Sequence, residues 1–188
     1  MGREWAARGS GETRSKSVMS ESGRMEEYFD VVNDRDEVVE SLPRPEVHRR
    51  QLKHRAVHVF VFRPDGLMLI HQRSAAKEEF PSVWTSSCSG HVSAGETYEQ
   101  SAPRELEEEL GLSAPLTYLQ KFDACADTSW EFTVLFSATT TEPPVPDPGE
   151  MTEIRWLRPP EIQEWMERRP EDFSPAFRIL FRWFLKAC

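Results

Sequence analysis

The sequence predicts a domain that combines β-hairpins with α-helices, of the α+β or mixed α/β class. Short β-branched and aromatic runs alternate with turn residues, and stretches with helical periodicity lie between and after them. The chain has 188 residues, of which 38% are hydrophobic, and this is enough for the core of one domain. Residues 1–24 are rich in Gly and Ser without a hydrophobic period, so we expect a disordered tail followed by a domain at 25–188.

Each predicted strand is a short β-prone run bounded by turn residues. The runs at 28–32 and 38–40 are joined by Asn33 and Asp34, which favour turns, so we expect a hairpin there. Residues 43–53 contain two prolines and are expected to form a connection. Further extended stretches are predicted at 57–62, 67–71, 83–91, 118–125, 132–138 and 151–157.

The first predicted helix covers residues 98–110. Thr97 and Gln100 have the spacing of a capping box, in which each side chain satisfies a backbone N–H at the helix start. Gly111 is suited to end the helix, because glycine adopts the left-handed conformation of a C-terminal cap without strain. The helix is therefore bounded on both sides by local signals.

The C-terminal third of the chain is predicted to hold two more helices. Pro159 and Pro160 fit the first turn of one helix, where a missing N–H costs nothing. The last helix starts near Pro175, and its apolar residues repeat along one face. Residues 139–149 contain four prolines, so this segment is expected to be a surface loop.

Charge and cysteine content exclude several classes of protein. With 23 basic and 32 acidic residues the net charge is −9, which argues against a binder of nucleic-acid polymers. No apolar run approaches the roughly 20 residues that span a bilayer, so no membrane partner is expected. Cys88, Cys125 and Cys188 are far apart and form no C-x-x-C pattern, which favours a reducing, cytoplasmic location and excludes a zinc ribbon.

Three carboxylates of the first predicted helix should lie on one face. Glu105, Glu108 and Glu109 are spaced i, i+3 and i+4. Like charges at this spacing destabilise a bare helix by a few tenths of a kcal/mol per pair, unless a cation lies between them. Hard divalent cations prefer oxygen ligands, so we expect Mg²⁺ here, with Mn²⁺ as the alternative.

Pro103 lies inside the same helix and does not fit its pattern. Proline removes one backbone hydrogen bond and clashes with the preceding turn, at a cost of roughly 3 kcal/mol in a helix interior. We therefore expect a kink, or a helix whose regular part begins only near Ser101. The three carboxylates follow the proline, so their geometry should be preserved.

The segment 90–112 resembles the Nudix box, G-x5-E-x7-R-E-U-x-E-E-x-G-U, in which U is a bulky aliphatic residue. The resemblance implies the Nudix fold, an α/β/α sandwich around a mixed β-sheet. It also implies a Mg²⁺-dependent pyrophosphohydrolase that cleaves the diphosphate linkage of a nucleoside diphosphate linked to a moiety X, or of a related organic diphosphate. Every defined position of the box is filled, by Gly90, Glu96, Arg104, Glu105, Leu106, Glu108, Glu109, Gly111 and Leu112.

The family resemblance assigns roles to these residues. It implies metal binding by Glu105, Glu108 and Glu109 and by the main-chain carbonyl of Gly90. Glu96 and Arg104 correspond to residues that support the metal ligands. The general base differs between members of the family, so four candidates stay open: Glu108, Glu109, Glu150 and Glu153.

The resemblance extends beyond the box to isopentenyl-diphosphate isomerases and their Nudix-like hydrolase relatives. It is carried by Arg73-Ser-Ala-Ala-Lys77, by Phe80-Pro-Ser-Val-Trp84-Thr and by Phe173-Ser-Pro. In the isomerases, the residues that match Arg73 and Lys77 bind the substrate diphosphate. The isomerases lack the complete box of this chain.

Several residues of the isomerase reaction are missing from this sequence. The catalytic Cys position is Ser89, and Cys88 should point to the opposite face of a strand. Of the metal-binding histidines, His54 and His91 match, but the third position holds Val47, with His48 one place away. Of the two glutamates, one position matches Glu131 and the other holds Ser129.

The sequence therefore favours hydrolysis over two alternatives. A catalytically silent binding module on a Nudix scaffold should have a broken box, and this box is complete. An isomerase should have kept the residues that are missing here. The X moiety is not encoded by any motif, and the exposed hairpin at 28–40 is a candidate surface for a homodimer.

Overall fold

A seven-stranded sheet forms the centre of the computed structural model, which describes residues 27–187. The tail predicted at 1–24 lies outside the described residues. The strands are β1 (Tyr28–Val32), β2 (Val38–Pro43), β3 (His54–Phe62), β4 (Met68–Arg73), β5 (Trp84–Thr85), β6 (Cys88–His91), β7 (Thr117–Phe122), β8 (Glu131–Thr139) and β9 (Met151–Leu157). The helices are α1 (Arg44–Arg49), α2 (Tyr98–Leu110), α3 (Pro159–Arg168) and α4 (Pro175–Ala187).

The central sheet is mixed, as the resemblance implies. Its strand order is β5-β4-β3-β8-β7, with β6 also paired to β3 and β9 to β4. β3 and β8 run parallel, with His54 opposite Glu131 at their amino ends. The other strand pairs of this sheet are antiparallel. The parallel register brings a histidine and a glutamate, far apart in sequence, to one edge of the sheet.

Helices cover both faces of the sheet, which confirms the predicted α/β/α sandwich. Successive residues of β3 point to opposite faces. Val57 and Val59 pack in one core with Leu106 of α2. Phe60 packs in the other core with Phe177 of α4. The acidic helix α2 is thereby held against one face through its apolar side, while its carboxylates stay free for the site.

The hairpin of β1 and β2 forms a second, small sheet. Phe29 of β1 is fully buried and packs with Val47 of α1, whereas Val38 and Val39 of β2 are exposed. The connection predicted at 43–53 therefore contains a helix, which was not predicted. Pro45 lies in the first turn of this helix, where proline is tolerated.

Helix α2 has the predicted boundaries. The capping box of Thr97 and Gln100 is formed in both directions, and Gly111 ends the helix with φ of 61°. The helix begins at Tyr98 and includes Pro103, which is exposed. The alternative start near Ser101 was therefore wrong.

The proline-rich loop, predicted at 139–149, lies against the C-terminal end of α2. The Val145 N–H donates to the Leu110 carbonyl at 2.7 Å, and the Asp147 N–H donates to the Glu109 carbonyl at 2.9 Å. Carbonyls at the end of a helix have no partner within the helix, so the loop supplies their hydrogen bonds. Within residues 27–187, no helix combines the length and the apolar character that crossing a membrane requires.

Candidate active site

A cleft with a volume of about 540 Å³ is lined by residues of the central sheet, of α2 and of the loops that follow β4, β7 and β8. Most of the site residues predicted from the sequence line this cleft. They are Arg73, Lys77, Gly90, Arg104, Glu105, Glu108, Glu109 and Glu150. Glu96 does not line it, and lies behind Arg104 instead.

Arg104 joins the acidic residues of the box. Its guanidinium donates to Glu105 at 2.8 Å, to Glu108 at 3.0 Å and to Glu96 at 2.9 Å. Glu96 also accepts a hydrogen bond from the Ser101 hydroxyl at 2.6 Å, which fixes its carboxylate. Glu96 therefore orients Arg104, and Arg104 orients the carboxylates that face the cleft.

Two of the box carboxylates are buried without full charge compensation. Burial raises the pKa of Glu105 to about 7 although Arg104 opposes the rise, and burial raises the pKa of Glu109 well above its usual range. Glu109 accepts one hydrogen bond, from the Ser89 N–H at 3.2 Å. A Cβ atom on Gly90 would lie 2.0 Å from the carboxylate carbon of Glu105, so the two residues are in close contact. This oxygen-rich, acidic pocket fits a hard divalent cation.

The cations that the resemblance assigns to diphosphate binding line the same cleft. Arg73 is held by a hydrogen bond from its Nε to the Glu79 carbonyl at 3.1 Å. Lys77 forms an ion pair with Glu150, which precedes β9. Both cations are anchored at the end of β4 or just after it, in one cleft with the α2 carboxylates.

The four candidate general bases differ in position. Glu108, Glu109 and Glu150 line the cleft. Glu153 does not line it, and its carboxylate accepts a hydrogen bond from Arg155 at 2.7 Å. Glu108 is the most exposed of the three box carboxylates.

Three histidines form a cluster beside the carboxylates. One ring nitrogen of each of His48, His54 and His91 lies within 4.8 Å of the others. The Nε2 atoms of all three are buried without a hydrogen-bond partner within the described residues. Nδ1 of His54 lies 2.9 Å from the Leu52 carbonyl, and Nδ1 of His48 lies 3.3 Å from the Glu79 carboxylate. Since both partners only accept, Nδ1 of each ring donates to them, and Nε2 is the atom that a metal would use, as in metal-binding histidines.

Glu131 and Phe29 complete this cluster. Glu131 Oε1 lies 3.1 Å from His91 Nε2 and 3.7 Å from His54 Nε2. Burial alone would raise the pKa of Glu131, but the two histidines outweigh burial and hold it below its usual range. The Phe29 ring stacks on His91 with 4.4 Å between the ring centroids, and on His54 with 5.5 Å. Three imidazoles and one carboxylate over an aromatic ring form a donor set that fits a transition metal.

The third histidine corrects the sequence comparison with the isomerases. Val47, the residue matched to that position, is buried in the hairpin core, and His48, one place away, joins the cluster. Because Val47 and His48 are consecutive residues of the helix α1, their side chains point in different directions. The predicted irregular connection gave no such direction. Ser129 lines the cleft where the isomerases have a second glutamate.

Cys88 and Ser89 lie on opposite faces of β6, as predicted. Cys88 is fully buried in the core next to α2, and burial raises the pKa of its thiol. Ser89 lines the cleft. The residue at the isomerase cysteine position is therefore a hydroxyl, and the nearby thiol does not face the cleft. Glu79 and Phe29 are site residues that no motif indicated, since only tertiary contacts bring them to the cluster.

A family model named NUDIX domain matches residues 52–178. The chain therefore belongs to the Nudix family, which confirms the resemblance of the box. Its described fold and its acidic helix are those that the resemblance implied.

Curated relatives carry both names that the sequence suggested. The Isopentenyl-diphosphate Delta-isomerase of Nocardia farcinica is 36% identical over 155 residues, which cover 78% of this chain and 87% of that protein. Nudix hydrolase 3 of Arabidopsis thaliana is 46% identical over 98 residues, which cover 51% of this chain but 13% of that protein. These relatives support the family. They carry the names of two different reactions, so the reaction of this chain has to be argued from its site residues.

Solved structures agree with the fold. The crystal structure of DR0079 from Deinococcus radiodurans is 29% identical and superposes with a TM-score of 0.69, covering 76% of this chain and 90% of that chain. The MutT protein from Methanosarcina mazei superposes with a TM-score of 0.61 at 18% identity, covering 70% of this chain and 92% of that chain. At that identity the second likeness concerns the fold alone.

Proposed function

We propose that the protein is a Mg²⁺-dependent hydrolase of the diphosphate linkage in a nucleoside diphosphate linked to a moiety X, or in a related organic diphosphate. The observation that carries this proposal is that one cleft contains both the buried carboxylates of α2 and the two cations Arg73 and Lys77. The complete box and the family of the chain support the same reaction.

The metal would be held by Glu105, Glu108 and Glu109 and by the main-chain carbonyl of Gly90. All four donors are oxygens, which suits Mg²⁺ and also Mn²⁺. The close contact between Gly90 and Glu105 supports this set, because a side chain at position 90 would displace the carboxylate. When bound, a divalent cation neutralises phosphate charge and lowers the pKa of an attacking water.

The chain itself would bind the substrate and accept the proton. Arg73 suits a bidentate contact with phosphate oxygens, and Lys77 a point-charge contact. Water adds to one phosphorus, the bridging P–O bond breaks, and the products are two phosphate compounds. The proton of the water passes to a carboxylate from the set Glu108, Glu109 and Glu150, all of which line the cleft.

The test is release of phosphate or nucleoside monophosphate from a panel of diphosphate compounds with Mg²⁺. We expect release by the wild type and its loss in Glu108→Gln. Glu107→Gln is the matched control, because Glu107 is an exposed residue of the same helix outside the cleft. Absence of release from every compound, with Mg²⁺ still bound in a titration, would contradict the hydrolase and favour a silent binding module.

The histidine cluster supports a second candidate, an isomerase of isopentenyl diphosphate. His48, His54 and His91 with Glu131 form a donor set for a transition metal, and curated relatives are named isomerases. Against this candidate, Ser89 stands at the cysteine position. Rearrangement of isopentenyl diphosphate without phosphate release would establish the isomerase and contradict the hydrolase.

A further inference from the structure

Part of the cleft wall consists of buried polar and small side chains that no step above uses. His58 comes from β3 and Thr85 from β5, whereas Ser174 immediately precedes α4 and Ala176 lies in the first turn of α4. The first three are 5%, 1% and 5% exposed. They line the cleft, so a molecule that enters it would meet the small part of each side chain that is exposed. We call these four residues the hydroxyl wall.

The hydroxyl wall is held by the backbone. The Ser174 N–H donates to the Trp84 carbonyl at 2.9 Å, and Trp84 also forms a parallel bridge with Phe173. The Thr85 and Ser174 hydroxyl oxygens lie 3.0 Å apart, and the Phe177 N–H donates to the Ser174 hydroxyl at 3.3 Å. One hydrogen joins the two hydroxyls, so Thr85 keeps hydrogen-bonding capacity for a ligand.

His58 adds a neutral hydrogen-bonding group to this wall. Its Nδ1 lies 2.6 Å from the Ser86 hydroxyl. Burial lowers the pKa of His58 to about 4, so the ring is uncharged at neutral pH. A neutral imidazole beside a hydroxyl pair suits uncharged polar groups, not a further phosphate.

The cleft lacks the walls that a hydrocarbon ligand needs. Pockets for apolar groups are lined mainly by apolar and aromatic side chains. Among the lining residues of the described chain, Phe80 is the one large apolar side chain, and it is 40% exposed. Ala176 leaves space and offers little apolar surface. A hydrocarbon here would leave the remaining hydrogen-bonding capacity of the Thr85 and Ser174 hydroxyls unused, and sites built for hydroxyls reject such analogues.

We propose that the hydroxyl wall is the subsite for the X moiety and selects X groups with uncharged hydroxyls over hydrocarbon X groups of equal size. This inference rests on the proposed function, since it assumes that the phosphates bind at the α2 carboxylates and the two cations. Under this inference, the hydroxyls of Thr85 and Ser174 contact X directly. The small side chain of Ala176 leaves the space that X occupies.

The test compares two synthetic substrates with equal carbon chains, 3,4-dihydroxybutyl diphosphate and n-butyl diphosphate. Inorganic phosphate release by the full chain with Mg²⁺ gives kcat/KM for each, and we expect a ratio of at least roughly tenfold in favour of the diol. Thr85→Val removes the hydroxyl at constant shape and should bring the ratio close to one. Thr117→Val is the matched control on exposed β7 and should keep the wild-type ratio.

Ala176→Phe is a second variant, in which the larger side chain fills the proposed space for X. It should lower kcat/KM for both four-carbon substrates relative to methyl diphosphate. Equal kcat/KM of the wild type for diol and butyl compounds would overturn the inference and leave the hydrolase intact. If neither compound is hydrolysed, the panel of diphosphate compounds described above decides the proposed function, and binding of both compounds by calorimetry decides the inference. Equal affinities for the diol and the butyl compound would overturn the inference. A preference for the diol that Thr85→Val does not change would also overturn it.

Discussion

Glu105 should make the metal-free protein less stable as the pH rises. Burial raises the pKa of this carboxyl to about 7, from an ordinary value of 4.5. Below pH 4.5 the group is protonated in both the folded and the unfolded chain, so it costs nothing. Between pH 4.5 and 7 it ionises more readily in the unfolded chain, so stability falls, and above pH 7 the cost is constant. A separation of about 2.5 pH units corresponds to about 3 kcal/mol.

Glu105→Gln tests this reasoning, because Gln resembles the neutral acid. Urea unfolding in the presence of EDTA should show the variant about 3 kcal/mol more stable than the wild type at pH 8. At pH 4.5 the difference should nearly vanish. Glu107→Gln, an exposed neighbour on α2, should differ little from the wild type at either pH. A gain for Glu105→Gln that does not depend on pH would refute the electrostatic cause.

Mg²⁺ should narrow the difference in stability between the two proteins at pH 8. A ligand that binds only the folded chain at a hundred times its Kd stabilises it by roughly 2.7 kcal/mol. The wild type should gain this stability from Mg²⁺, and Glu105→Gln, which lacks one proposed ligand, should gain less. Equal gains in the two proteins would contradict the role of Glu105 as a metal ligand.

Three further changes follow from the contacts of the site. Gly90→Ala places a Cβ 2.0 Å from the Glu105 carboxylate carbon and should reduce phosphate release by roughly a hundredfold with an unchanged circular dichroism spectrum. His48→Gln should lower the transition-metal content per chain, measured by mass spectrometry after dialysis, because one of three imidazole donors is lost. Asp36→Asn keeps the positive φ of 59° but removes the buried partner of Arg55, and should cost about 2 kcal/mol in urea unfolding.

The elements that were predicted accurately are those with local signals. The boundaries of α2 follow from Thr97 at one end and Gly111 at the other, and the structure has both caps. Pro159 and Pro175 start α3 and α4 for the same local reason. Helix α1 was missed because it has six residues, too few for a helical period, and prolines at its start suggested a connection.

The histidine cluster could not be derived in full from the sequence. His48, His54 and His91 meet because α1 folds over the hairpin and because β3 pairs with β6 on one side and β8 on the other. A match by position alone placed Val47 at the third histidine position, with His48 one place away. No sequence signal indicates which of these two neighbours in a short helix faces the cluster. The box carboxylates were easier to predict, because a single helix carries all three.

The charge of the cleft bears on how a chain with a net charge of −9 could bind the polyanionic substrate proposed above. In the described chain, the lining has four Arg and Lys side chains, Arg44, Arg73, Lys77 and Arg104, against eight carboxylates. With all of these groups ionised, the lining is four charges short of neutrality, and a diphosphate would be repelled. Each divalent cation contributes two positive charges, so two of them would neutralise the lining and leave Arg73 and Lys77 to attract the phosphates. In the proposed reaction, metal binding would therefore favour binding of the diphosphate, and by linkage the diphosphate would favour binding of the metal.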